Sequence, residues 1–88
     1  MAQSSSYSFK ITTMLGVAYE GSVESVVAPA IEGQVGILAG HAPMICATRP
    51  GKVTVRTGAN TTTFEVGEGT LEVKEKSTVL LVGFANEL

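Results

Sequence analysis

Tryptophan and aspartate are absent from this sequence of 88 residues, and cysteine and histidine occur once each, as Cys46 and His41. Each scarcity removes a class of function. One thiol forms no internal disulfide and builds no cysteine-rich metal site, so a reducing compartment is the natural setting. One His, one Cys and scattered Glu also lack the ligand spacing of a metal centre. Four Lys and two Arg stand against eight Glu, for a formal net charge of −2. That leaves no basic stripe to neutralise phosphates, and a nucleic-acid partner is not expected. The first ten residues, MAQSSSYSFK, have neither an apolar core nor a basic start, so they do not read as a secretory signal, and a cytosolic setting is expected. Apolar residues nowhere recur at helical spacing for three turns, and the many Val, Thr and Gly residues disfavour helix.

What is present is alternation with a period of two. Tyr7, Phe9 and Ile11 alternate with Ser8, Lys10 and Thr12, and the same rhythm returns at Val53 and Val55, Phe64 and Val66, and Leu71 and Val73. This describes strands with one buried and one wet face. An apolar share of 44% with aromatics at 6% makes the core aliphatic. Turn signals fall at Glu20-Gly21, Pro50-Gly51, Gly58-Ala59-Asn60, Gly67-Glu68-Gly69 and Lys76-Ser77. Pro50-Gly51 predicts a type II reversal with Gly51 at positive φ. The more continuously apolar SVESVVAP and STVLLVGF predict strands covered on both sides, the first ended by Pro29. Eight to ten short strands without crossover helices imply a single domain over residues 1–88, an antiparallel sandwich or flattened barrel, with residues 1–6 as a frayed end. Asn60-Thr61-Thr62 matches a glycosylation acceptor but reads as a polar turn in a chain without a secretion signal.

Chemistry is harder to find. His41 is the one base of suitable pKa, and Cys46, five residues on, would point to the opposite face of a shared strand. GQVGILAGHA has the glycines of a phosphate cradle but neither the following Lys nor a helix. Glu20, Glu24 and Glu32 read as the wet faces of strands and turns rather than as a proton-sharing pair. No catalytic residue, metal site or cofactor-binding site is expected.

Gly33 to Thr48 is a run of sixteen residues without Asp, Glu, Lys or Arg. It is too short, and too broken by Gly36, Gly40 and Pro43, to cross a bilayer. Its Val35, Ile37, Leu38, Met44 and Ile45 fit two core strands joined by a tight loop. They also fit the charge-poor centre of a protein interface, and for Met44 and Ile45 both readings stand.

The residues VESVVAPAIEGQVGILAGHAPMICATRPGKVTVR, followed by VGEGTLEV and STVLLV, closely resemble the amino-terminal domain of the epsilon subunit of F-type ATP synthases, over a stretch from about Phe9 to Val82. The resemblance implies a ten-stranded antiparallel β-sandwich of two five-stranded sheets. It implies a non-catalytic rotor subunit that ties the gamma subunit to the polar loops of the c-ring and serves the alpha and beta subunits indirectly. Such a subunit lies in the peripheral F1 sector, on the cytoplasmic face of an energy-coupling membrane, without inserting into it. Carried over by position, Thr13, Glu32, Gln34 and His41 are the expected c-ring contacts. Ala42, Met44 and Ile45 are the expected gamma contacts. Gln34 departs from the family, in which an acidic residue is frequent, so an ion pair is replaced by amide hydrogen bonding. Relatives continue into a helical hairpin used for inhibition and, in some, ATP binding, and the sequence ending in GFANEL is expected to lack both. The alternative is a free-standing sandwich that binds a small ligand or sugar. Its need for exposed stacking aromatics fits poorly with Tyr7, Tyr19, Phe9, Phe64 and Phe84, which mostly fall at positions of predicted burial.

Overall fold

The computed structural model describes residues 5–88. Ten strands follow in chain order: β1 (Tyr7–Thr13), β2 (Gly16–Val23), β3 (Ser25–Ala30), β4 (Gly33–Leu38), β5 (Met44–Thr48), β6 (Gly51–Thr57), β7 (Asn60–Val66), β8 (Gly69–Val73), β9 (Ser77–Val82) and β10 (Ala85–Glu87). Of the expected frayed end, residues 1–4 lie outside the described residues, and β1 begins at Tyr7.

Strand pairing forms one continuous ten-stranded sheet that folds into two five-stranded layers, in the orders β4-β3-β6-β7-β10 and β5-β8-β9-β1-β2. They are joined at one corner by the pairing of Ala30 with Thr48. Every pair is antiparallel except β1 with β9, which run parallel with Phe9 opposite Thr78. Alternation drives the assembly. Phe9, Ile11, Val53, Val55, Phe64, Val66, Leu71 and Val73 all point into one core. Partly buried Tyr19 packs against this core, stacking obliquely on Phe9 and edge-on to Phe64, with centroids 6.0 and 5.6 Å apart.

Local predictions succeed where a turn needs a special backbone and fail where the chain only bends. Thr57 pairs with Asn60 around Gly58-Ala59, and Gly58 has a φ of 61°, the pattern of a II′ hairpin. Glu20-Gly21 is not a turn: both residues lie within β2, opposite Lys10 and Phe9. SVESVVAP is not one strand, because the chain bends at Glu24 between β2 and β3, and β3 continues one residue past Pro29. Nor is Pro50-Gly51 a type II turn within one layer. Gly51 lacks a positive φ, and β5 and β6 both pair with β3, so the chain turns a corner there from one layer to the other. Room is tight there, since a Cβ on Gly51 would press on the Pro29 ring at 3.2 Å. In STVLLV the burial alternates too: Leu80 and Val82 are buried while Leu81 is half exposed.

One side chain ties the layers together. The Tyr7 hydroxyl of β1 donates to the Ile37 carbonyl of β4 across the core, at 2.7 Å. Burial pushes the Tyr7 pKa up to about 12, against a smaller opposing pull from a backbone hydrogen bond at Val26. The fold therefore favours the neutral phenol. Its contribution is complete below about pH 10, where the unfolded side chain titrates, and is lost as pH rises through about 12. Tyr7→Phe is expected to cost about 1 kcal/mol at neutral pH. Urea titrations from pH 9 to 12 are expected to show this difference from wild type shrinking as pH rises.

Candidate interaction site

The strand register sorts the molecule into two ends. Thr12 lies opposite Leu81, Val82 opposite Gly69, Gly69 opposite Thr48, Thr48 opposite Ala30, and Ala30 opposite Gly33. This row places the β1–β2 hairpin tip and the β3–β4 turn at the same end. The row through Tyr7 with Val23, Thr78 with Val73, Met44 with Val73, and Ser25 with Leu38 marks the other end.

Of the candidate ring contacts, Thr13, Glu32 and Gln34 fall at the first end, with Glu32 and Gln34 exposed. The structure does not bring His41 to them. His41 sits in the 39–43 connection between β4 and β5, at the second end. Its backbone N–H donates to Leu38 O at 3.1 Å, and its Nδ1 lies 2.7 Å from Ala42 O. Periodicity could not foresee this, because β4 spans the length of the layer between Glu32 and His41.

Thr13 acts inward on its own hairpin. Its hydroxyl accepts from Leu15 N–H at 3.1 Å and lies 3.3 Å from the Gly16 carbonyl, which clamps the tip. Gly16 closes that tip with a φ of 123°. The clamp holds out two side chains that the sequence reading missed: Met14 is 96% exposed and Leu15 is 100% exposed. Half-exposed Ile31 stands at the same end, on the β3–β4 turn. The signal was legible as Met-Leu in a two-residue hairpin tip, where Asn, Asp or Gly is the norm.

The candidate gamma contacts divide as the strand alternation requires. In β5, Met44 and Cys46 turn inward and pack against the core, whereas Ile45 turns outward opposite Glu72 and is 69% exposed. Ala42 is exposed in the connecting loop. Between β4 and β5 the flank of the sandwich stays open over a cavity of about 650 Å3, lined by Val35, Met44 and Cys46 and closed at the first end by Ile31 and Glu32. Among the described residues, no three His, Cys, Asp or Glu side chains gather into a group that could hold a metal ion. No helix of the described residues is long and apolar enough to cross a membrane.

Residues 6–87 match the model of the ATP synthase delta/epsilon chain β-sandwich domain. The chain belongs to this family. An ATP synthase epsilon chain from Rhodopseudomonas palustris (strain TIE-1) is 40% identical over 81 residues, which is 92% of this chain and 60% of the relative. One from Nitrobacter winogradskyi is 37% identical over 82 residues, covering 93% and 61%. This delta/epsilon-type sandwich thus spans about 60% of the length of these relatives. The fold also matches a chain of the Euglena gracilis mitochondrial ATP synthase, solved by cryo-EM with OSCP, F1 and c-ring. The TM-score there is 0.89 at 18% identity, over 99% of this chain and 56% of that one. A chain of the Tetrahymena thermophila mitochondrial central stalk and c-ring matches with a TM-score of 0.77 at 14% identity, over 90% and 64%.

Proposed function

We propose that this domain is a non-catalytic rotor element of an F-type ATP synthase, coupling the gamma subunit to the c-ring in the peripheral F1 sector. The observation that carries the reading is the presence of two separate apolar presentations on one rigid sandwich. At one end Met14 and Leu15 stand out on the β1–β2 tip, and Ile31, Glu32 and Gln34 stand out separately at the β3–β4 turn. Ile45 and Ala42 stand out on the β5 flank toward the other end. A coupling element needs two docking surfaces with a stiff body between them. The antiparallel ladders and the cross-core bond from Tyr7 to Ile37 supply that body. The first end is the ring-facing one in this reading, with Thr13 holding the tip, Leu15 and Ile31 making apolar contact and Gln34 hydrogen bonding to c-loops. The β5 flank is the gamma-facing one, and His41 belongs to it by position.

Leu15→Asp tests the assignment, because it places a charge on the fully exposed hairpin tip of the ring-facing end without touching the core. The variant is expected to co-purify with gamma as wild type does but to lower ATP-driven proton pumping in reconstituted enzyme at least tenfold. Undiminished pumping by enzyme that contains the variant refutes the ring-facing assignment.

A further inference from the structure

Backbone geometry on the open flank carries one more step, which rests on the coupling reading. Ile31 N–H donates to Ala47 O at 3.2 Å and Arg49 N–H donates to Pro29 O at 2.9 Å, so the backbone groups of Pro29 and Ile31 point toward β5. Alternation then turns the backbone groups of Val26, Ala28 and Ala30 toward β4, where they lie opposite Ile37, Val35 and Gly33. The N–H and C=O groups of Gln34, Gly36 and Leu38 therefore point outward from the unpaired edge of β4. Leu38 O is taken by His41 N–H at 3.1 Å. Among the described residues, no strand lies beside the outward groups of Gln34 and Gly36.

Exposed strand edges are usually blunted by charge, proline, a bulge or shortness. The β10 edge has only three residues, one of them Glu87. The β2 edge carries Glu20 and pairs with β1 through a register shift at Ile11/Thr12. β4 has none of these protections: six residues, GQVGIL, without charge or proline, in unbroken register with β3. Glycine at position 36 leaves no side chain there to obstruct an approaching backbone.

We propose that the free edge of β4 receives an extended segment of the gamma subunit as an added strand, antiparallel or parallel to Gly33–Leu38. Backbone hydrogen bonds to Gln34 and Gly36 hold it. A second copy of this chain is the poorer occupant. A six-residue strand is roughly 20 Å long, and edge-to-edge pairing over that length falls far below the ~1,200 Å2 of a stable interface. A gamma segment is also continuous with the proposed contacts at Ala42 and Ile45, and its side chains can enter the cavity beside Val35 and Met44.

The test is amide hydrogen exchange on the full chain, alone and in complex with the gamma subunit of the same cell. The Gln34 and Gly36 amides are expected to exchange at least tenfold more slowly in the complex. Gly36→Pro, which an edge strand tolerates when the lost N–H faces outward, is expected to weaken gamma binding at least tenfold, whereas Gln34→Ala changes it less than threefold. If the complex forms and both amides exchange as fast as in the free protein, strand addition is overturned while the coupling reading stands. If gamma does not bind wild type at all, both fall together.

Discussion

Replacing Phe9 by alanine is expected to lower the stability of the domain by about 3–5 kcal/mol, the usual range for a fully buried Phe. Phe9 has no exposed surface and packs beside Tyr19, itself edge-on to Phe64, so the ring is part of the bridge between the two layers. A domain of this size has a total stability of roughly 4–13 kcal/mol. The loss therefore removes a large fraction of it. Few large side chains are available to fill the gap: aromatics make up 6% of the sequence, and the buried core is mostly Val, Leu and Ile, whose branched rotamers collapse poorly into a ring-sized void. Urea denaturation followed by tyrosine fluorescence measures the change. A loss under about 1 kcal/mol would show that the core repacks and that the ring does not bridge the layers.

Gly69→Ala is expected to cost about 2–3 kcal/mol by overpacking. Gly69 begins β8 and lies between Thr48 of β5 and Val82 of β9. A Cβ at this position would overlap the Leu81 carbonyl and also crowd the Val82 Cα, at 2.8 Å. Those are backbone atoms of a paired strand, so they yield only if the β8–β9 ladder opens. Gly36→Ala is the control. Nothing lies within 4 Å of its added Cβ and its φ is not positive, so the change is expected to be neutral or stabilising by up to about 1 kcal/mol. Thermal melts of the two variants are thus expected to move apart, with only Gly69→Ala falling well below wild type.

The two glycines also show how much of the molecule can be read from its residues. The buried faces of β1, β6, β7 and β8 were legible because each alternates over at least four positions, and a one-residue slip would expose every apolar side chain. The hairpin at Gly58 was legible because its backbone demands glycine. The bend at Pro50-Gly51 was not, because the same dipeptide serves a reversal and a corner, and the choice depends on β3, more than twenty residues earlier. Gly69 was marked only as the end of the Gly67-Glu68-Gly69 turn signal, and its steric requirement was not, because that comes from a carbonyl on another strand.

The functional surface was legible as a composition and not as a map. A window without charge marked the β4–β5 flank, yet it also swept up Met44, which strand alternation turns inward. His41 and Glu32 lie nine residues apart in sequence and at opposite ends of the fold, since a whole strand separates them. Met14 and Leu15 lay outside the window, and only a turn with apolar tips announced them. The one-sided exposure of Ile45 becomes visible once Glu72 is known to be its neighbour across the ladder.

The central claim is that one stiff sandwich meets two different subunits with two different surfaces. Leu15→Cys and Ile45→Cys, each in a Cys46→Ala background, can be labelled with a photoreactive maleimide and irradiated within the assembled ATP synthase. The coupling account predicts that the label at position 15 captures a ring subunit and the label at position 45 captures gamma. Capture of one and the same subunit from both positions, or of neither ring nor gamma from either, would contradict it.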